Sequence, residues 1–236
     1  MNQNITEKSS DRKPYKGIGM EGRIATWYAR NTAKDIAEFK RLAGQLSKEI
    51  TANSRILEVA PGPGYLSIEL AKLGQYEITG LDISKSFVEI AHENAKKERV
   101  AVDFQNGNAS AMPFEDNKFD FIVCRAAFKN FSQPIDAINE MHRVLRPGGR
   151  AVIIDLRKDA SMHEINDYIR NSGLGWKDSM IYKFTFRFLL IPRAYSKTHF
   201  LDMASHSKFG KAEIKESGIG FEITFNKEKF LNTNKY

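Results

Sequence analysis

The chain has 236 residues, 36 basic against 29 acidic side chains, a formal net charge of +7, 42% hydrophobic residues and one cysteine. That length suits one α/β domain with an appendage, and the lone Cys124 excludes an internal disulfide framework or an all-cysteine metal site, as in a reducing compartment. Lysines and arginines are scattered among acids in ones and twos, so the charge reads as a solvated face and argues against a nucleic-acid partner.

Residues 1–16 are polar and aperiodic and read as a flexible arm without a secretory signal. No apolar run approaches a membrane span, and the cytoplasm is the expected location. Residues 17–236 read as a single domain in four parts: 17–50, 51–156, 157–208 and 209–236. Helices are expected around 20–30 and 33–50, the second with Ile36, Phe39, Leu42, Leu46 and Ile50 in one stripe. From residue 55 strand and helix alternate as in a doubly wound sheet, with strands near 55–59, 77–81, 101–105, 119–124 and 150–155. Ser84 is an N-cap for a helix with Phe87, Ile90, Ala91 and Ala95 on one face. Pro134 suits the first turn of another, with Ile135, Ile138, His142 and Leu145 inward, and Pro147-Gly148-Gly149 stops it. Tyr182, Phe184, Phe186 and Phe188 alternate, which by itself argues a strand. The stretches 212–216 and 220–225 close the chain as antiparallel neighbours across a short turn.

The most informative stretch is Ile56-Leu57-Glu58-Val59-Ala60-Pro61-Gly62-Pro63-Gly64. A strand that stops at a turn of small residues and opens into a helix leaves backbone N–H groups pointing at a ligand, as in nucleotide-cofactor sites. Ile78-Thr79-Gly80-Leu81-Asp82 follows, a second strand whose acidic end has the spacing of a ribose ligand. A dinucleotide fingerprint would put its third glycine at Ser67, and Glu58 would repel a pyrophosphate. S-adenosylmethionine has no phosphate and carries a sulfonium and an ammonium, so the same carboxylate favours it.

From Ile56 to Asp155 the chain resembles the class I S-adenosylmethionine-dependent methyltransferases, of the small-molecule type that includes the ubiquinone and menaquinone methyltransferases. Four motifs carry the resemblance in order: Glu58-x-Ala60-x-Gly62-x-Gly64, Asp82, Gly107-Asn108-Ala109-Ser110-Ala111-Met112-Pro113-Phe114, and Leu145-Arg146-Pro147-Gly148-Gly149. The resemblance implies a Rossmann-like doubly wound, mostly parallel seven-stranded sheet with an antiparallel final strand. It also implies N-terminal helices as a cap over 17–50, a cofactor-binding core over 51–156, and a helical acceptor-site insertion over 157–208 before the closing strands of 209–236. S-adenosylmethionine would then meet Glu58, Ala60, Gly62, Gly64, Asp82, Ile83, Asn108, Ala109, Cys124 and Arg125. Two positions depart from the family pattern. Ala60 replaces the usual first glycine, which requires that its φ stay negative. Asn108 replaces a frequent aspartate, and its amide oxygen can still accept from the adenine amino group.

A sulfonium cofactor brings its own activated methyl group, so the protein's task is positioning and exclusion of water, and no catalytic residue is assigned. Polar groups after the fourth and fifth strands, Arg125, Lys129, Asn130, Asp155, Arg157 and Lys158, are the candidates for meeting an acceptor. The aromatics of 176–195, with Trp27, Tyr28 and Phe128, suggest a small, apolar, aromatic acceptor whose anionic group would meet Arg157 or Lys129. Cys124 lacks the Pro-Cys context of a cytosine methyltransferase and reads as structural. The amino-adenine signature is absent, and His92, His142, His163, His199 and His206 show no metal spacing. The competing readings are an RNA or protein methyltransferase and a protein that binds the cofactor without transfer. A nicotinamide oxidoreductase is disfavoured by Glu58 and Ser67.

Overall fold

In the computed structural model, which describes residues 15–16, 19–171 and 176–229, the expected arm over 1–14 lies outside the described residues. Five apolar runs form parallel strands: β1 (Arg55–Val59), β2 (Glu77–Asp82), β3 (Asp103–Asn106), β4 (Phe119–Arg125) and β5 (Leu145–Leu156). With β6 (Glu213–Ser217) and β7 (Gly220–Asn226) they make one seven-stranded sheet in the order β3-β2-β1-β4-β5-β7-β6. β7 is antiparallel to both of its neighbours. This is the Rossmann-like architecture that the resemblance implies.

Both faces of the sheet are covered, which is why its strands read as continuous apolar runs. Ile56, Phe121, Val123 and Val152 turn to one layer, against Phe39, Leu42 and Leu46 of α2 (Ile36–Leu46) and Leu66 and Leu70 of α3 (Tyr65–Ala71). Their chain neighbours Leu57, Ile122 and Ile153 turn to the other, against Ile138 and Met141 of α5 (Pro134–Val144) and Phe200 and Met203 of a later helix, Lys197–Ser205. The strand order reverses between β1 and β4, and such a switch point opens a crevice at the carboxyl ends of the strands. β2 leads into α4 (Lys85–Glu98), where the Ser84 hydroxyl accepts from Phe87 N as an N-cap.

The expected stop of α5 is corrected. α5 ends at Val144, before Pro147-Gly148-Gly149, which lies within β5 at a register shift between Phe119 and Phe121 of the partner strand. The alternating aromatics follow the helical insertion that the resemblance implies, not the strand that their period by itself argues: they fall on a helix, Trp176–Thr185, and the wider helical turn Phe186–Leu190 that continues it. The physical cause is the partner available. Phe186 buries against Ile165 and Ile169 of the helix Met162–Asn171, and the helical period brings the Phe184 and Phe188 rings to 4.8 Å while leaving both exposed. The side chains of Trp176 and Tyr182 lie outside the description. Finally, the end of the expected arm is pinned, since Tyr15 bridges Phe131 and Lys16 N donates to Asn130 O at 2.7 Å. Among the described residues no helix is long and apolar enough to cross a membrane.

The turn from β1 to α3 places Ala60 at φ 57°, Gly62 at 55° and Gly64 at 81°. Ala60 therefore occupies the left-handed region after all, held by its N–H to Leu81 O at 2.8 Å. A side chain there costs about 1–2 kcal/mol, partly offset by the smaller entropy of an unfolded chain with alanine. Ala60→Gly is expected to raise stability by about 0.5–1 kcal/mol in urea unfolding. Gly64→Ala is expected to lower it by about 2–4 kcal/mol, because its Cβ would stand 2.6 Å from the Phe104 ring.

Candidate functional site

A cavity of about 570 Å³ opens at the carboxyl ends of β1, β2 and β4. Two acids on its wall dominate its electrostatics. Glu58 near the end of β1 is 3% exposed and Asp82 at the end of β2 is 5% exposed. The Glu58 carboxylate accepts from Ser67 N at 2.9 Å and from Ser67 Oγ at 2.5 Å. Asp82 accepts from Gly62 N and from Ser84 N, each at 2.9 Å. Burial pushes Glu58 up to about 7 and Asp82 up to about 6, with these hydrogen bonds opposing the shift. Among the described residues neither acid has a cation at ion-pair distance: Arg125, the nearest in effect, spends its guanidinium on Glu38 at 2.8 Å. Two buried acids that share a cavity and have no cationic partner make a site for a positively charged ligand.

The backbone of the turn reinforces that sign. Ala60 N–H is spent on Leu81 O, Gly62 N–H on Asp82, and Gly64 N–H on Pro61 O at 3.0 Å. Pro61 and Pro63 have no N–H to give. Between residues 60 and 64 no donor is left to face a ligand, contrary to the expectation of an N–H cradle. A pyrophosphate would find neither donors nor positive charge here.

Around these acids, Ala60, Gly62, Ile83, Asn108, Ala109 and Arg125 line the cavity. Asn108 Oδ1 accepts from Ser110 N at 2.9 Å, which fixes the amide at the wall and leaves the oxygen's second lone pair. Gly64 lies behind the wall, packed on Phe104. Cys124 is fully buried, its thiol pushed well above the ordinary range by that burial, so it is neither a contact nor a nucleophile. The front wall comes from α1 (Gly22–Thr32). Glu21 just before it accepts from Lys85 N and Ser86 N, each at 3.0 Å, and so ties the start of α1 to the start of α4. Tyr28 thereby reaches the cavity and meets Phe87 edge-on at 5.6 Å, whereas Trp27 on the neighbouring face is 66% exposed and outside it.

Most of the residues expected to meet an acceptor do other work. Phe128 is fully buried beneath Phe131, Tyr195 and Phe200. Lys129 borders the cavity, but its ammonium lies 2.9 Å from the buried Asp155 carboxylate and also donates to Ala126 O. Asp155 in turn accepts from Lys129 N and Leu156 N, so the pair is closed on itself. Arg157 donates to Gly218 O and to Glu164, with Glu216 at 3.3 Å, away from the cavity. The described insertion aromatics, Phe184, Phe186, Phe188 and Tyr195, do not line it either. The aromatic wall instead comes from Tyr15, Tyr28, Phe39, Phe87 and Phe131, and the insertion contributes Leu190 and Arg193. Nothing in the sequence singled out Tyr15 or Arg193, since one sat in an aperiodic arm and the other in an irregular turn.

The family described as "Methyltransferase domain" matches residues 57–153. The demethylmenaquinone methyltransferase of Chlorobaculum tepidum is 30% identical over 177 residues, 72% of this chain and 69% of that one. That of Deinococcus radiodurans is 36% identical over 108 residues, 45% of each chain, so the chain spans less than half the length of that relative. A solved structure from Methanococcus maripaludis superposes with a TM-score of 0.70 at 22% identity, covering 96% of this chain and all 100% of that one.

The titration of the two acids is testable. Each is raised by folding, so each contributes stability that is fully present below its unfolded value and lost as pH climbs through about 6 for Asp82 and about 7 for Glu58. A cationic ligand prefers the ionised acids, so the affinity for S-adenosylmethionine measured by calorimetry is expected to rise roughly tenfold between about pH 5.5 and 8. Glu58→Gln should flatten that profile.

Proposed function

The chain belongs to the class I S-adenosylmethionine-dependent methyltransferase family, and from that premise we propose that it transfers a methyl group from S-adenosylmethionine to a small, largely apolar acceptor. The observation that carries this reading is the pair of buried, cation-free acids, Glu58 and Asp82, on the wall of one cavity.

The residues present fit the cofactor. Asp82 would hold the ribose hydroxyls by charge-assisted hydrogen bonds, Asn108 would accept from the adenine amino group, and Glu58 would offset the positive charge of the methionine end. Bound there, S-adenosylmethionine supplies the activated methyl group. The protein's own contribution is then orientation and dryness. Tyr28 on α1 and Phe131 after β4 wall the crevice with apolar surface, and the Glu21 bonds to α4 keep α1 seated over it.

The acceptor half of the cavity has no histidine on its wall, and Lys129 and Asp155 neutralise each other. A phenol or quinol ionises at about pH 10, and its anion, nucleophilic at oxygen and at the carbon beside it, reacts without a protein base. A concave cavity of this size with aromatic walls suits a small molecule better than a polymer. That the related demethylmenaquinone methyltransferases carry a quinone in their name supports an acceptor of this chemistry.

The test is a screen of phenols and naphthoquinols with methyl-labelled cofactor. Transfer of label to at least one member with equimolar release of S-adenosylhomocysteine is expected, and release with none of them, beside intact cofactor binding, would refute transfer. Asp82→Asn is expected to weaken S-adenosylhomocysteine by about tenfold, since one charge-assisted bond is worth about 1.5–3 kcal/mol.

A further inference from the structure

The cavity wall carries three basic side chains, Arg125, Lys129 and Arg193. Two are neutralised: Arg125 by Glu38 at 2.8 Å, with its guanidinium also over the Phe39 ring, and Lys129 by Asp155 at 2.9 Å. Arg193 is exposed at the rim, and among the described residues no carboxylate stands within ion-pair distance of it.

The position of Arg193 follows from the sheet. Read along the strand order, Asp82 ends β2, Glu58 lies next on β1, and Arg125 ends β4. β5 lies one strand further on, and its extension holds the Arg193 turn: Arg157 bridges Tyr195, and Lys158 N donates to Tyr195 O at 3.0 Å. Arg193 is thus anchored beyond the end of the cavity that the two acids claim. Tyr15 is pinned to Phe131, and the charges of both Arg193 and Asp82 act on its hydroxyl. Tyr15, Phe131 and Leu190 line the same cavity and offer it aromatic and apolar surface. Two buried acids and one basic side chain without a carboxylate partner among the described residues, at different strands' ends of one cavity, call for two ligands of opposite charge.

We propose that Arg193 is the anion-recognition residue of the acceptor subsite, and that the acceptor is an aromatic molecule bearing a carboxylate. This rests on the methyltransferase reading, which assigns the acidic end to the cofactor. The guanidinium offers a planar fork that a carboxylate meets in two parallel hydrogen bonds, while the ring of the acceptor lies against Tyr15 and Phe131. The assignment replaces Lys129 and Arg157, whose charges are consumed within the protein.

The experiment uses the full chain saturated with S-adenosylhomocysteine, titrated calorimetrically with benzoate, 2-naphthoate and 2-anthracenecarboxylate, and with 2-naphthamide as the neutral match. At least one acid is expected to bind, and 2-naphthoate roughly tenfold more tightly than 2-naphthamide. Arg193→Gln should abolish that preference and Arg193→Lys should keep part of it, with S-adenosylhomocysteine affinity unchanged in both. Equal binding of acid and amide by the unaltered protein, a preference that survives in Arg193→Gln, or failure of all three acids to bind would each overturn the proposal. So would a tenfold loss of S-adenosylhomocysteine affinity in Arg193→Gln, which would give the guanidinium to the cofactor's own carboxylate. Failure of the unaltered protein to bind S-adenosylhomocysteine at all would instead overturn the cofactor reading beneath it.

Discussion

Two carboxylates hold the turn between β1 and α3, and the rest of the site depends on that arrangement. Asp82 reaches across from β2 to take Gly62 N–H, while Glu58 takes both donors of Ser67 at the start of α3. The first bond fixes the middle of the turn and the second fixes the entry of the helix. The burial that makes both groups costly as anions also keeps them facing one cavity. The protein tolerates the cost because the fold needs the bonds, and a cation arriving in the cavity recovers part of it.

The same turn decides which cofactors are compatible. In a dinucleotide site the glycine turn offers N–H groups to a pyrophosphate. Here prolines at 61 and 63 remove two donors and the protein itself consumes those of Ala60, Gly62 and Gly64. An anionic bridge would meet acids and no donors. A sulfonium and an ammonium meet the complementary charge. The discrimination is electrostatic and is built from the turn's composition, so it needs no side chain that touches the ligand's reactive end.

The sheet and the acidic end of the cavity were legible because their signals are local. Alternate residues of β1, β4 and β5 bury into opposite layers, and Glu58 and Asp82 sit where a strand stops, so sequence spacing translates directly into position. Ala60 was misjudged because a left-handed φ is imposed by its bond to Leu81 across the sheet, which no local pattern records. The Tyr182–Phe188 alternation by itself argues a strand, but its partner is a helix, so burial of Phe186 alone decides the period and the implied helical insertion forms. The rest of the cavity was legible only in character. An aromatic wall exists, yet it is assembled from Tyr15, Tyr28, Phe39, Phe87 and Phe131, which lie far apart in the chain. Lys129 and Arg157 looked available because their partners, Asp155 and Glu164, are set by tertiary packing.

The selection of a cationic adenosyl cofactor over a phosphate-bridged one rests on two buried acids that have no cation at ion-pair distance among the described residues, and on a donor-free turn. It is tested most directly by calorimetric titration of the ligand-free protein at neutral pH with S-adenosylmethionine and, separately, with NAD. Saturable binding of S-adenosylmethionine at one site per chain, with no heat from NAD, is the result this account requires. Binding of NAD without binding of S-adenosylmethionine would contradict it.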